Sequence, residues 1–76
     1  MAEVVIHGWK PGIKVVSCIE ALHKHSNLSL EDSATTMESL LGGTSQAATV
    51  STQSEAVALS DTLIGLGALT HVSSAA

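Results

Sequence analysis

Two kinds of apolar spacing alternate along this chain of 76 residues, and their order constrains the fold more than any other feature. A spacing of two predicts a half-buried strand, and spacings of three and four predict an amphipathic helix. The predicted strands are 2–6, 46–51 and 68–73. The first predicted helix covers 13 to about 25, the second starts at Ser29 and stops at Gly42-Gly43, and the third is opened by the segment 52–55 and ends before Gly67. The order β-α-α-β-α-β favours an α+β fold, a two-layer sandwich in which a three-stranded sheet carries three helices on one face. The last three elements also have the pattern of a right-handed crossover unit.

Capping residues and glycines mark the ends of the predicted helices. Ser26-Asn27 is predicted to break the first helix, because asparagine tolerates the left-handed conformation that commonly ends one. Ser29 with Asp32, and Thr52 with Glu55, have the spacing of capping boxes, while Gly67 is typical of the residue after a helix. Each helix then has one apolar stripe that should face the sheet. The stripes are Val15, Cys18, Ile19 and Leu22; Leu30, Ala34, Met37 and Leu41; and Ala56, Leu59, Leu63 and Leu66. In the last strand, Thr70 and Val72 should point inward, and Leu69 and His71 outward.

Length and charge limit the domain content and the classes of partner. One small domain, residues 1–76, accounts for the whole chain, and 73–76 are expected to fray. The chain has three lysines, no arginine and seven acidic residues, so its net charge is −4, and it has one aromatic residue. Few cations to neutralise phosphates and no aromatic platform for stacking bases argue against nucleic-acid binding. No apolar run approaches the roughly 18 residues of a membrane span, and no signal-peptide pattern opens the chain. A single cysteine fits a reducing compartment, so a cytoplasmic location is expected.

Three segments carry a resemblance to a known fold family. They are Val4-Val5-Ile6, Leu28-Ser29-Leu30-Glu31, and Ala58-Leu59-Ser60-Asp61-Thr62-Leu63 with Gly67-Ala68 after it. In this order they resemble the first strand, the turn into the second helix and the third helix of the C-terminal domain of the ribosomal stalk protein. That fold is shared with the Clp protease adaptor. The resemblance runs from Val4 to Val72 and implies the fold, because its matches are apolar positions and turns.

The functional positions of the two relatives match this chain only in part. In the stalk domain, basic residues on the first two helices dock translation factors, and here those positions are Val15, Glu20, His23 and Ala34, with Lys14 one place off. In the adaptor, an aromatic-x-Pro loop follows the first strand, as Trp9-Lys10-Pro11 does here. Ile6-His7-Gly8, however, stands where the adaptor has the carboxylates of its amine pocket. Translation-factor binding is therefore an alternative function, after a general protein-interaction role.

Trp9 is the residue that most favours a protein-interaction module. Tryptophan dominates interface hot spots, although a lone tryptophan can equally be a lid packed over the sheet edge. The predicted surface combines the loop at Trp9 with the exposed side of the first helix, where charged residues would select the partner. Its residues are Trp9, Lys10, Lys14, Glu20, His23 and Lys24. We expect another protein as the partner.

The remaining reactive side chains favour neither an enzyme nor a bound cofactor. Cys18 lies on an apolar stripe, where cysteine behaves as a small hydrophobe, and no catalytic serine, phosphate-loop or dinucleotide motif occurs. His23 and His25 point in nearly opposite directions on a helix and cannot share an ion. His7 and His71 would share the outer sheet face if the first and last strands pair, but a structural zinc site takes four protein ligands. No metal site is therefore predicted, and a small metal or ligand binder using histidines is the second alternative.

The outer sheet face offers a route to self-association. Val5, Leu69 and Ala47 lie there beside the two histidines, and helices on the other face leave them uncovered. Exposed apolar patches often mark association, so a homodimer through this face is a second hypothesis. The alternative is a small patch masked by its polar neighbours.

Overall fold

A computed structural model describes residues 2–26 and 28–74. Its strands are β1 (Ala2–Trp9), β2 (Gln46–Val50) and β3 (Ala68–Ser74), and its helices are α1 (Val15–His25), α2 (Leu30–Leu41) and α3 (Gln53–Gly65). The α+β class and the order β-α-α-β-α-β predicted from the sequence are confirmed. Asn27, predicted to help break the first helix, and residues 75–76 of the expected frayed tail lie outside the described residues, while β3 continues through Ser74.

The sheet places β1 in the middle, in the order β2-β1-β3, and both neighbours run antiparallel to it. Since both run opposite to β1, β2 and β3 are parallel to each other. They do not pair, however, because β1 lies between them. The expected crossover unit is thus split: α3 carries the chain from one edge of the sheet to the other, across the central strand.

A single core joins the inner face of the sheet to all three helices. Val4 and Ile6 of β1 are fully buried, and α2 and α3 pack on the sheet while α1 packs against both of these helices. The stripes predicted for α1 and α3 are confirmed. In these two helices the residues with no exposed surface are Cys18, Leu22, Ala56, Leu59 and Leu63. In β3, Thr70 and Val72 face inward as expected, and the Thr70 hydroxyl lies 2.6 Å from that of Ser60 on α3.

The apolar stripe predicted for α2 is wrong, because the helix buries a face that is rotated from the predicted one. Leu30 is 54% exposed, and the buried residues of α2 are Ser33, Met37 and Leu40. The sequence offers two overlapping stripes that share Met37, and spacing alone does not separate them. In the folded chain α2 packs against α1 and the sheet, and the face with Ser33, Met37 and Leu40 is the buried one. The cap at Ser29 is confirmed, since its hydroxyl accepts a hydrogen bond from the Asp32 amide at 3.0 Å.

The first strand is longer than predicted and contains a β-bulge. Gly8 and Trp9, expected in a loop, pair with Leu69 and Ala68, and the register shifts between Ile6 and Gly8. The extra residue of the bulge is therefore His7. Gly8 suits this place because a Cβ there would lie 3.2 Å from a methyl carbon of Leu69. Without a side chain at Gly8, Leu69 can lie against the β1 backbone.

The loop after β1 and the end of α3 meet at a backbone junction that is closed by hydrogen bonds. The Lys10 amide donates to the Gly67 carbonyl at 2.8 Å, and the Lys14 amide donates to the Leu66 carbonyl at 2.9 Å. Gly67 has φ +106°, and a Cβ added there would lie 2.9 Å from the Cα of Ile13. Only glycine satisfies both requirements without strain. The junction fixes the backbone on both sides of the predicted interaction loop.

Candidate functional site

Trp9 lies at the open end of the sheet, on the side of the helices. It is the last residue of β1 and stands opposite Ala68, whose side chain is buried in the core. Directly paired residues of antiparallel strands project to the same face, so Trp9 projects inward at the sheet's end. Its side chain remains 41% exposed. Trp9 is thus partly packed and partly available, which combines the two roles considered for it from the sequence.

Lys10 and Lys14 flank this tryptophan with fixed backbones and exposed side chains. Lys14 is the residue before the first turn of α1 and has φ −91° and ψ 85°, so it does not belong to the helical face. Neither lysine makes an ion pair with a residue in 2–26 or 28–74. Their ammonium groups are therefore free to meet a charged group from outside the chain.

The other three predicted residues do share one face of α1. Glu20, His23 and Lys24 are all exposed and stand three and four residues apart, which is the spacing of neighbours on a helix surface. The His23 Nδ1 lies 3.0 Å from the Leu28 carbonyl, which accepts a hydrogen bond from it in the tautomer that is protonated at Nδ1. His23 therefore has a structural partner in the link between α1 and α2, and Glu20 and Lys24 are the residues of this group that point freely to solvent.

One residue of this face was missed from the sequence. Val16 is 69% exposed and precedes Glu20 by one helical turn. The available signal was its position off the apolar stripe of α1, because an aliphatic residue on the polar side of a helix has no core to enter. Val16 adds an apolar contact beside the charged residues. We call Trp9, Lys10, Lys14, Val16, Glu20, His23 and Lys24 the docking surface.

A groove of about 250 Å³ lies at the edge strand β2, and of the docking surface only His23 contacts one of its lining residues, Leu28. It is lined by Leu28, Ala47, Ala48 and Thr49. None of these side chains titrates, so the groove offers no acid, base or metal ligand. The predicted site residues do not converge on it.

The four histidines fall into two groups with different surroundings. His25 Nδ1 lies 3.1 Å from the Glu55 carboxylate, and His23 contacts Leu28, so this pair does not converge, as predicted. His7 and His71 are exposed on the outer sheet face, with ring centroids 5.3 Å apart and planes inclined by 35°. The condition stated from the sequence, that β1 and β3 pair, is met. The outer face thus carries a contact between two imidazole rings.

Cys18 is buried, as its place on the α1 stripe predicted. Burial raises the pKa of the Cys18 thiol because the thiolate loses its hydration. The thiol form is therefore favoured in the folded chain, and Cys18 has neither the charge nor the access that a nucleophile needs.

Metal-ligand clusters, membrane-spanning helices and similarity to known proteins add few constraints on function. Across residues 2–26 and 28–74, no three histidine, cysteine or acidic side chains come together as metal ligands would. No helix within those same ranges has the length and apolar character required to cross a membrane. Neither the family models, nor the curated proteins, nor the solved structures contain a match to this chain. The resemblance to the stalk and adaptor fold, the homodimer and the partner therefore stay predictions.

Proposed function

We propose that this domain is a cytoplasmic protein-interaction module that binds an acidic segment of a partner protein containing one large apolar side chain. The docking surface defined above is the binding site. In this proposal Trp9 and Val16 contact the apolar side chain, and Lys10, Lys14 and Lys24 contact the carboxylates around it. Glu20 and His23 limit the orientation in which such a segment can bind.

The segregation of charge is the observation that carries the proposal. All three lysines of the chain lie between positions 10 and 24, together with one acid, Glu20, although the whole chain has a net charge of −4. Lysines concentrated on one surface of an acidic domain steer an acidic partner towards that surface and repel it from the rest. The Lys10 and Lys14 side chains are free of intramolecular ion pairs with the described residues, which leaves their charge uncompensated.

The exposed apolar area supports the same surface. The exposed 41% of Trp9 corresponds to roughly 100 Å² when a tryptophan presents about 250 Å² in total. Burying that area would contribute about 2.5 kcal/mol to binding. Val16, which is 69% exposed, adds a second apolar area in the first turn of α1. The junction with Gly67 and Leu66 holds the loop in place before binding, so little ordering of the backbone opposes it.

A displayed library of random 12-residue peptides tests the proposal with a defined probe. We expect enriched peptides to contain Asp or Glu on both sides of an aromatic or long aliphatic residue. Their affinity should fall at least tenfold for Trp9→Ala and for the double variant Lys10→Glu, Lys14→Glu. Leu30→Ala is the matched control, because it removes an exposed apolar side chain on α2 and should leave binding unchanged.

Two outcomes contradict the proposal. One is that no peptide family is enriched over the library background. The other is that enriched peptides bind Trp9→Ala and the lysine double variant as tightly as the unmodified domain, while circular dichroism shows that both variants are folded. If Trp9→Ala itself unfolds, Lys10→Glu with Lys14→Glu still tests the charged half of the surface, because both side chains are exposed.

A further inference from the structure

We infer that His7 and His71 form a bidentate site for a late first-row divalent metal ion, with Zn²⁺ as the reference ion. The site lies on the outer sheet face, whereas the docking surface lies at the end of the sheet and on α1. The inference therefore stands independently of the proposed function. It concerns an open site, in which the protein supplies two ligands and the other positions exchange with water or with another donor.

The separation of the two rings matches the geometry of a shared zinc ion. A Zn–N bond of about 2.0–2.1 Å places each ring centroid about 3.2 Å from the metal, and a tetrahedral angle then separates two centroids by about 5.2 Å. The observed centroids of His7 and His71 are 5.3 Å apart. The inclination of 35° between the ring planes is compatible with this arrangement, because each ring can rotate about its own metal–nitrogen bond.

The register of β1 and β3 explains why these rings lie close together. An unbroken register continued from Ile6 and Thr70 would set His7 opposite Leu69. Instead, Leu69 pairs with Gly8, and His7 becomes the extra residue of β1. His71 stands opposite Val5, two residues before His7 and on the same face, so the two imidazoles meet along a diagonal. Diagonal neighbours on antiparallel strands are within reach of aromatic side chains.

The ring nitrogens of this pair are available, in contrast to those of the other histidines. Neither His7 nor His71 makes a hydrogen bond with a residue in 2–26 or 28–74, whereas His23 Nδ1 contacts the Leu28 carbonyl and His25 Nδ1 contacts Glu55. Both side chains of the pair are exposed, so an ion can reach them without unfolding. Neutral imidazole is a preferred ligand of Zn²⁺, Cu²⁺ and Ni²⁺. With two protein ligands in place of four, we expect Zn²⁺ to bind more weakly than at a structural zinc site.

Zinc chloride titration of the intact chain tests the inference. Calorimetry should give one Zn²⁺ per chain, and His7→Ala and His71→Ala should each weaken binding at least tenfold. His25→Gln is the matched control, because it removes one histidine elsewhere and should bind zinc like the unmodified chain. At a free zinc concentration of 100 times the dissociation constant, the thermal midpoint should rise by about 10 °C or more, since the ion joins β1 to β3.

The unmodified chain provides a second readout that needs no variant. Long-range ¹H–¹⁵N spectra should show zinc-dependent shifts of the imidazole nitrogens of His7 and His71, and none at His23 or His25. A stoichiometry of one Zn²⁺ per two chains would also support the site, if the mass doubles in light scattering and both alanine variants lose binding. In that case a second copy of the chain would fill the open positions of the ion. The inference is overturned if zinc up to 1 mM moves neither imidazole, or if binding survives in both alanine variants.

Discussion

Gly67→Ala is the substitution for which the structure predicts the largest effect from the smallest chemical change. At φ +106° the alanine costs about 1–2 kcal/mol, because its Cβ approaches the backbone carbonyl. The new Cβ would also lie 2.9 Å from the Cα of Ile13, which is backbone and cannot rotate away. Moving Ile13 away stretches the hydrogen bonds of the Lys10 and Lys14 amides, each of which contributes about 0.5–1.5 kcal/mol. We therefore expect Gly67→Ala to lower the free energy of unfolding by about 2–5 kcal/mol.

Two other glycines separate the contributions to this loss. Gly43 has φ +100° with nothing within 4 Å of an added Cβ, so Gly43→Ala should lose only the conformational part, about 1–2 kcal/mol. Gly65 lies in the last turn of α3 with open space around it and no positive φ, so Gly65→Ala should be neutral or gain up to about 1 kcal/mol. Urea unfolding followed by far-UV circular dichroism and by the fluorescence of Trp9 measures all three. Equal losses for Gly67→Ala and Gly43→Ala would refute the argument from the Ile13 contact.

Three further predictions concern the buried side chains of Ser33 and Cys18. The Ser33 hydroxyl is buried and has no hydrogen-bond partner among residues 2–26 and 28–74. Ser33→Ala should therefore leave the free energy of unfolding unchanged or raise it by about 1 kcal/mol in urea unfolding, and a loss above about 1 kcal/mol would reveal a partner for this hydroxyl. The Cys18 thiol should react with Ellman's reagent only after denaturation, and rapid reaction of the folded chain would contradict its burial. Because burial raises the pKa of the Cys18 thiol, the unfolded chain releases the thiol proton at a lower pH than the folded chain does. The contribution of this thiol to the free energy of unfolding is therefore complete below the ordinary thiol pKa of about 8.5 and falls as the pH rises above that value.

Local signals were sufficient to predict the element order and most of the core. The caps at Ser29 and Thr52 and the stop at Gly67 are short-range chemistry, and the structure confirms each of them. The phase of α2 was not predictable, because whether Leu30 or Leu40 is buried depends on where α1 and the sheet lie. The extent of β1 was missed for a similar reason: glycine at position 8 resembles a turn residue until the position of Leu69 is known.

The candidate sites also differ in how much of their geometry local sequence signals can predict. Trp9 and the three lysines could be chosen from composition alone, because tryptophan and segregated charge are visible without coordinates. Val16 could have been found from its place off the apolar stripe. The shared face of His7 and His71 was predictable on the condition that β1 and β3 pair, whereas the separation of their rings was not, since it depends on the register of two strands far apart in the sequence. Long-range register is set by tertiary packing, which a single sequence reports only indirectly.

The central position of β1 has a consequence for how the chain acquires its structure. As the polypeptide is synthesised, β1 precedes both of its partners, which arrive only with residues 46–50 and 68–74. Until then its backbone groups bond to water, and α1 and α2 can form by local contacts alone. The rate-limiting step of folding should therefore close these long loops around β1, and loss of β3 would leave one side of β1 without a partner.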